Sequence, residues 1–279
     1  MKRILYTGFF ASLVVLPGFV NAQSGGNSIN RTDAALKATP KTVVKKPKPI
    51  HREVSGGLKL NTDGWGVFLD RGTVKSTDKY PDQFYAVRVL QIELGERKSP
   101  QEIKRTNTLS ATANDKPTPF IYGKVNNFYS LKIGYGNRKL IAGKPESGNV
   151  SIHWVYIGGL TLGLLKPYYI DVYYKDSTGS IVQESMKYSA AKEKYFLSKP
   201  DIIGSSGFSK GLGEMQINPG VQLKTALHFD FAASKHSVLA IEAGASLEYY
   251  ASAVQLMATK DEKALFINAY ASIQFGKRW

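Results

Sequence analysis

From Ala264 to Trp279 apolar and polar residues alternate. Leu265, Ile267, Ala269, Ala271, Ile273, Phe275 and Trp279 share one parity, Asn268, Tyr270, Ser272, Gln274 and Arg278 the other, and Lys277 alone breaks the apolar side. A two-residue period places the two sets on opposite faces of a β-strand. The same pattern runs through 214–231, where Ile217, Val221, Leu223, Leu227 and Phe229 oppose Glu214, Gln216, Lys224, His228 and Asp230. It recurs in 237–254, where Leu239, Ile241, Ala243, Ala245, Leu247 and Tyr249 oppose Glu242, Ser246 and Glu248. With only 232–236 between the first two, these strands form a meander. Soluble strands usually run about 5–6 residues. Longer ones, apolar on one face and polar on the other, suit a transmembrane barrel with lipid outside and a polar lumen.

Five further stretches read as strands: 57–72, 83–96, 125–143, 149–175 and 180–189, the last entered through the turn signal Asp176-Ser177-Thr178-Gly179. The sum is an all-β, antiparallel, up-and-down barrel of eight strands over 57–279. An even count returns both termini to the periplasmic side. Tracing back from Trp279 then puts 176–179 and 232–236 in the periplasm, and 73–82, 143–148, 190–213 and 258–263 outside. The polar segment 97–124 becomes a long periplasmic link, or it holds two more strands and the barrel has ten.

Composition adds an export route. Lys2 and Arg3, an apolar run from Ile4 to Val20 broken by Pro17 and Gly18, and the small-x-small site Val20-Asn21-Ala22 read as a signal peptide over 1–22. Residues 23–56 lack periodicity, carry prolines at 40, 47 and 49, and hold Arg31, Lys37, Lys41, Lys45, Lys46, Lys48 and Arg52 against Asp33 and Glu53. This is the composition of a disordered basic tail. The formal charge is +15, and in an exported chain it points to anionic lipid or acidic polymers rather than nucleic acid. The chain has no cysteine, so disulfides and thiolate metal sites are excluded.

The ordered segments GWGVFLDRG, ELGERKSPQE, YGKVNNFYSLKIGYG, LTLGLLKPYY, IIGSSGFSKG and the closing FINAYASIQFGKRW resemble an outer-membrane barrel family of the Bacteroidota. That family is broadly like the barrels associated with type IX secretion, and most of its members have no assigned activity. The resemblance covers about 57–279. It implies the fold, the outer membrane and the export signal, and it transfers no catalytic residue.

The inward parity gathers Glu214, Lys224, His228, Asp230, Glu242, Glu248 and Arg278, which in an eight-stranded lumen form a charge-paired plug or line a narrow ion path. Phe275 and Trp279 give the closing strand the aromatic end read by barrel-assembly machinery. Catalysis has little footing: His228 and Asp230 lie two residues apart, His153 has Ser151 beside it but no acid, and neither GxSxG nor HExxH occurs. No cofactor or metal is expected. The expected role is a non-enzymatic scaffold or accessory component of envelope transport or secretion, touching outer-membrane lipid and a periplasmic or secretion-system protein. A small ion or solute channel is the alternative, and a lipid-modifying barrel enzyme the next.

Overall fold

The computed structural model describes residues 50–75, 86–107, 118–143, 149–231, 236–259 and 262–279. The signal peptide and the tail as far as residue 49 lie outside them.

Eight long strands close into one antiparallel barrel: β1 (Arg52–Asn61), β2 (Gly64–Lys75), β3 (Ala86–Arg97), β6 (Asn126–Ala142), β7 (Ser151–Pro167), β11 (Gln216–Asp230), β12 (Ser237–Val254) and β13 (Lys263–Arg278). Around the circle the order is β1, β13, β12, β11, β7, β6, β3, β2. The first and last strands meet in register from Glu53↔Arg278 to Asn61↔Tyr270.

The expected number of strands is present, but three of its components differ. The stretch 149–175 is two strands, of which only Ser151–Pro167 is in the wall. The stretch 57–72 is a hairpin rather than one strand, and the barrel begins at Arg52, inside the segment read as tail. The chain turns at Thr62-Asp63, where the outward parity flips from Leu58 and Leu60 to Trp65, Val67 and Leu69. The stretch 180–189 is not in the wall. Its strand β9 (Ile181–Lys187) pairs with β8 (Tyr169–Lys175), which also pairs with β10 (Ile202–Ser205), in a separate three-stranded sheet. Among the described residues no ninth or tenth strand enters the wall.

Strand direction sorts the connections. Arg52, Arg278 and the strand ends flanking 76–85, 143–150 and 231–236 share one end of the barrel, here the terminal end. The turn at 62–63 and the connections 98–125, 168–215 and 255–262 leave from the other, the far end. The described parts of 97–124 and the turn 176–179 therefore lie on connections that leave the far end, with 190–213, not with the termini. The ends flanking 73–82 and 143–148 lie at the terminal end, opposite to expectation.

Side chains on the outer face are apolar on every wall strand, as at Leu60, Leu69, Ile92, Ile133, Leu160, Leu223, Ile241 and Ile267. An apolar belt of this extent far exceeds the patch of a few hundred Å² that soluble proteins tolerate. Exposed Arg71, Lys75, Arg88 and Lys277 lie in the terminal parts of their strands, as do Trp154, Phe275 and, just past β13, Trp279, while Trp65 and Tyr249 mark the far side.

Candidate functional site

Inward positions of all eight strands fill the lumen. Among the described residues it contains six cations (Lys59, Arg97, Lys132, Arg138, Lys224, Arg278) and six carboxylates (Glu53, Asp70, Glu93, Asp230, Glu242, Glu248), none more than 5% exposed. Buried charges survive only when paired and hydrogen-bonded. All but Asp70 are ion-paired, and Asp70 takes two amide donors instead.

Toward the terminal end Glu53 accepts from Arg138 Nη2 at 2.6 Å and from Arg278 Nε at 2.7 Å, and Arg278 also donates to Asp230. Arg138 Nη1 lies 2.9 Å from His228 Nε2. A guanidinium can only donate, so Nε2 is the acceptor and the proton sits on Nδ1, 3.2 Å from Glu242 Oε2. Glu242 Oε1 takes Tyr270 OH at 2.7 Å and Lys224 Nζ at 2.8 Å. Lys224 reaches Gln91 at 3.1 Å, and Gln91 and Gln274 donate to the two oxygens of Asp70 at 2.7 and 2.9 Å.

Toward the far end Lys59 and Lys132 both meet Glu93 at 2.8 Å, and Lys132 joins Glu248 at 2.6 Å. Glu248 also receives Arg97, whose Nη1 holds Asp63 at 2.6 Å, and Tyr250 OH at 2.8 Å. Val74, Val87, Val89, Val155 and Ile157 form one apolar layer packed among the charges of the terminal half, and Phe128, Leu165, Tyr250 and Val254 form a second that caps the network toward the far end. Gly163 admits the second layer, because a Cβ there would stand 2.7 Å from the Phe128 ring and 2.9 Å from that of Tyr250.

Of the expected luminal residues, Lys224, His228, Asp230, Glu242, Glu248 and Arg278 are brought together. Glu214 is not. It lies exposed in a 3-10 turn before β11, where it accepts from Tyr169 OH at 2.6 Å and from Lys187. Half of the network went unread in the sequence: Glu53, Lys59, Asp70, Glu93, Arg97, Lys132 and Arg138. The signal for Glu93 was its place between outward Ile92 and Leu94, and Glu53 was hidden by the composition of the basic tail. The outer face holds Phe275 and Trp279, both exposed near the β1–β13 seam.

His153 pairs in register with His228, and their rings stand edge to face at 5.9 Å. Ser151 is opposite Asp230. Among the described residues no three His, Asp or Glu side chains are placed to hold a metal.

The far end carries a second structure, here the head. Within 98–125, β4 (Lys104–Arg105) pairs with β5 (Phe120–Ile121). Within 168–215, the sheet β10–β8–β9 packs with the short helix α1 (Glu193–Phe196). Phe120, Ile170, Val172, Met186, Phe196 and Ile202 form a core of their own. Asn107 Nδ2 to Ile202 O at 2.9 Å and Tyr122 OH to Leu197 O at 3.0 Å tie the two connections together. A buried Lys124–Glu102 pair at 2.6 Å and the hydrogen bond from Val125 N to Leu256 O at 2.8 Å seat them on the rim.

No family model matches the chain, and no curated protein matches it. Ten chains of known structure do. They include the attachment invasion locus protein Ail of Yersinia pestis, in complex with the heparin analogue sucrose octasulfate (10% identity, 83% of this chain and 100% of that one, TM-score 0.35). Neisserial surface protein A is another (9% identity, 83% and 96%, TM-score 0.34). A third is the N-terminal β-barrel domain of OprF of Pseudomonas aeruginosa (11% identity, 82% and 96%, TM-score 0.28).

Proposed function

We propose that the protein is an integral outer-membrane barrel that acts without catalysis, as an anchor displaying its head to a binding partner in envelope transport or secretion. The observation that carries this reading is the folded head, with its own apolar core, seated on a barrel whose lumen is filled. The apolar belt supports lipid as the surrounding solvent. The inequality of the two ends supports an orientation with the termini in the periplasm and the head outside, since outer-membrane barrels keep short turns inside and long loops outside. A channel needs a continuous water file, and buried paired charges with an apolar layer over their far side oppose one. A lipid-modifying enzyme needs an accessible nucleophile, and Ser151, His153 and His228 are all buried. The basic stretch 23–49 would meet acidic groups of a periplasmic partner, and the resemblance to barrels associated with type IX secretion supports that class.

An epitope inserted after Thr178, at the tip of the β8–β9 hairpin, tests the orientation. Antibody labelling of intact cells is expected, and labelling only after permeabilisation would overturn the outward head. Cross-linking in outer membranes, with the head intact or with 168–215 replaced by a short turn, then tests partner capture. Identical partner sets would remove the display role.

A further inference from the structure

The barrel wall is incomplete at its far rim. β1 stays beside β13 only to Asn61↔Tyr270, with the Thr62 N–H donating to the Ala269 carbonyl at 3.0 Å. β13 runs on to Lys263, paired on its other side with β12 through Leu247↔Ile267 and Tyr249↔Leu265. Backbone groups of an antiparallel strand point alternately to its two neighbours, so those of Ile267 and Leu265 follow Ala269 and face the gap beyond the Thr62-Asp63 turn. Among the described residues no backbone group meets them there.

The gap opens on a cavity of about 260 Å³. Val254, Leu256, Met257 and Phe266 give it an apolar lining, and the exposed side chains of Leu265 and Ile267 continue it into the apolar belt. Lys98 and Lys263 stand at its mouth, both exposed. The Lys98 ammonium is 3.3 Å from the Glu96 carboxylate. Asp63 also lines the cavity, but its carboxylate is taken by Arg97. Asn268, 3% exposed, accepts the Thr62 hydroxyl on Oδ1 at 3.1 Å, while its Nδ2 has no partner among the described residues. An unmet buried donor, unmet peptide groups, two cations and a greasy lining converge on one notch.

We infer that this notch binds one phosphorylated acyl lipid of the surrounding leaflet. The phosphate sits between Lys98 and Lys263, the ester or amide linkage meets Asn268 Nδ2 and the open peptide groups of Leu265 and Ile267, and the first methylenes enter the cavity. The inference rests on the membrane-spanning reading of the barrel.

The test uses the purified full chain in a zwitterionic detergent, titrated with dioctanoyl phosphatidic acid or dioctanoyl phosphatidylcholine and read by native mass spectrometry. Phosphatidic acid is expected to bind at least tenfold more tightly. The K98Q/K263Q variant is expected to lose that preference, T62W to weaken both lipids by crowding the mouth, and K175Q/K194Q on the head to bind like the parent. Equal affinity for the two lipids, or a preference that survives K98Q/K263Q, would overturn the inference. Heat-modifiable gel mobility is scored in the same samples. A folded barrel that binds neither lipid sinks the lipid site alone, whereas a chain showing no barrel form counts against the membrane reading.

Discussion

Glu53, on the first wall strand, accepts hydrogen bonds from Arg138, on the fourth, at 2.6 Å across the lumen, and from Arg278, on the last, at 2.7 Å. One carboxylate thus holds two buried guanidiniums. Removing it by E53A leaves Arg138 without its carboxylate and Arg278 with Asp230 alone, and breaking a buried pair in this way costs about 3–5 kcal/mol. Urea titration of the folded barrel in detergent micelles is expected to show that loss, with E53Q less damaging because its amide oxygen can still accept. An E53A midpoint equal to the parent's would mean that water or a neighbouring acid replaces Glu53 at no cost.

The filled lumen makes an electrical prediction. In planar bilayers the parent is expected to show no stable openings at moderate voltage. Steady single-channel steps that respond to K132A or E93A would show that the network lines a path instead of closing it.

Gly163 is fixed by the aromatic rings over it. G163L drives carbon into the Phe128 and Tyr250 rings, and overpacking of this kind costs roughly 1–3 kcal/mol. Thermal scanning by heat-modifiable mobility should place G163L below the parent, while a leucine at Gly213, which has nothing within 4 Å of its Cβ position, should leave the transition unmoved.

The head has its own core, so it can be loosened by itself. Phe196 is fully buried among Ile170, Met186 and Ile202, and F196A should cost the head about 3–5 kcal/mol. Limited proteolysis is the readout: new cleavage is expected within 168–215 with the barrel's gel shift intact. Loss of both together would show that head and wall fold as one unit.

At the β8–β9 tip, the Thr178 hydroxyl donates to Asp176 Oδ1 at 2.6 Å, with the N–H groups of Thr178 and Ser180 at 2.8 and 3.0 Å. The Thr178 hydroxyl chiefly, then these N–H groups, hold the Asp176 carboxyl below its ordinary value of 3.8. A depressed folded pKa stabilises the turn above the ordinary value, and the benefit is lost as pH falls through the lower, folded one. Amide protection of Thr178 and Ser180 should therefore be steady from neutral pH down to about pH 4 and fall below it, and D176N should remove that pH dependence. A parent whose protection is flat into strong acid would contradict the assignment.

The three closing strands were the most legible part of the sequence because each keeps one parity from end to end. The hairpin at Thr62-Asp63 was hard to read because a two-residue turn interrupts the alternation less visibly than a loop. Its trace was the parity flip between Leu60 and Trp65. β9 was misplaced for a different reason. A short hairpin following a clear turn signal looks the same whether it lies in the wall or above it, and only pairing with β8 and β10 separates the two. Half of the luminal network followed from alternation on the last strands. Of the other half, Glu53, Lys59 and Asp70 sit on β1 and β2, whose parity flips at Thr62-Asp63, and a one-residue slip moves every side chain to the opposite face. Glu93, Arg97, Lys132 and Arg138, by contrast, sit on β3 and β6, whose alternation was legible. Glu214 failed in the converse way, by extending β11 two residues past its start at Gln216.

The seam between β1 and β13 joins residues more than two hundred positions apart, whereas the other wall pairs are neighbours along the chain or are separated by a single connection. Until β13 arrives, a growing wall is a curved sheet with two bare edges, the state most exposed to pairing with another chain. Glu53 and Arg278 face each other at one end of that seam and share one ion pair. A pair that can form only when the seam closes is expected to act as a latch, so loss of Arg278 should slow circularisation of the wall and promote intermolecular strand exchange.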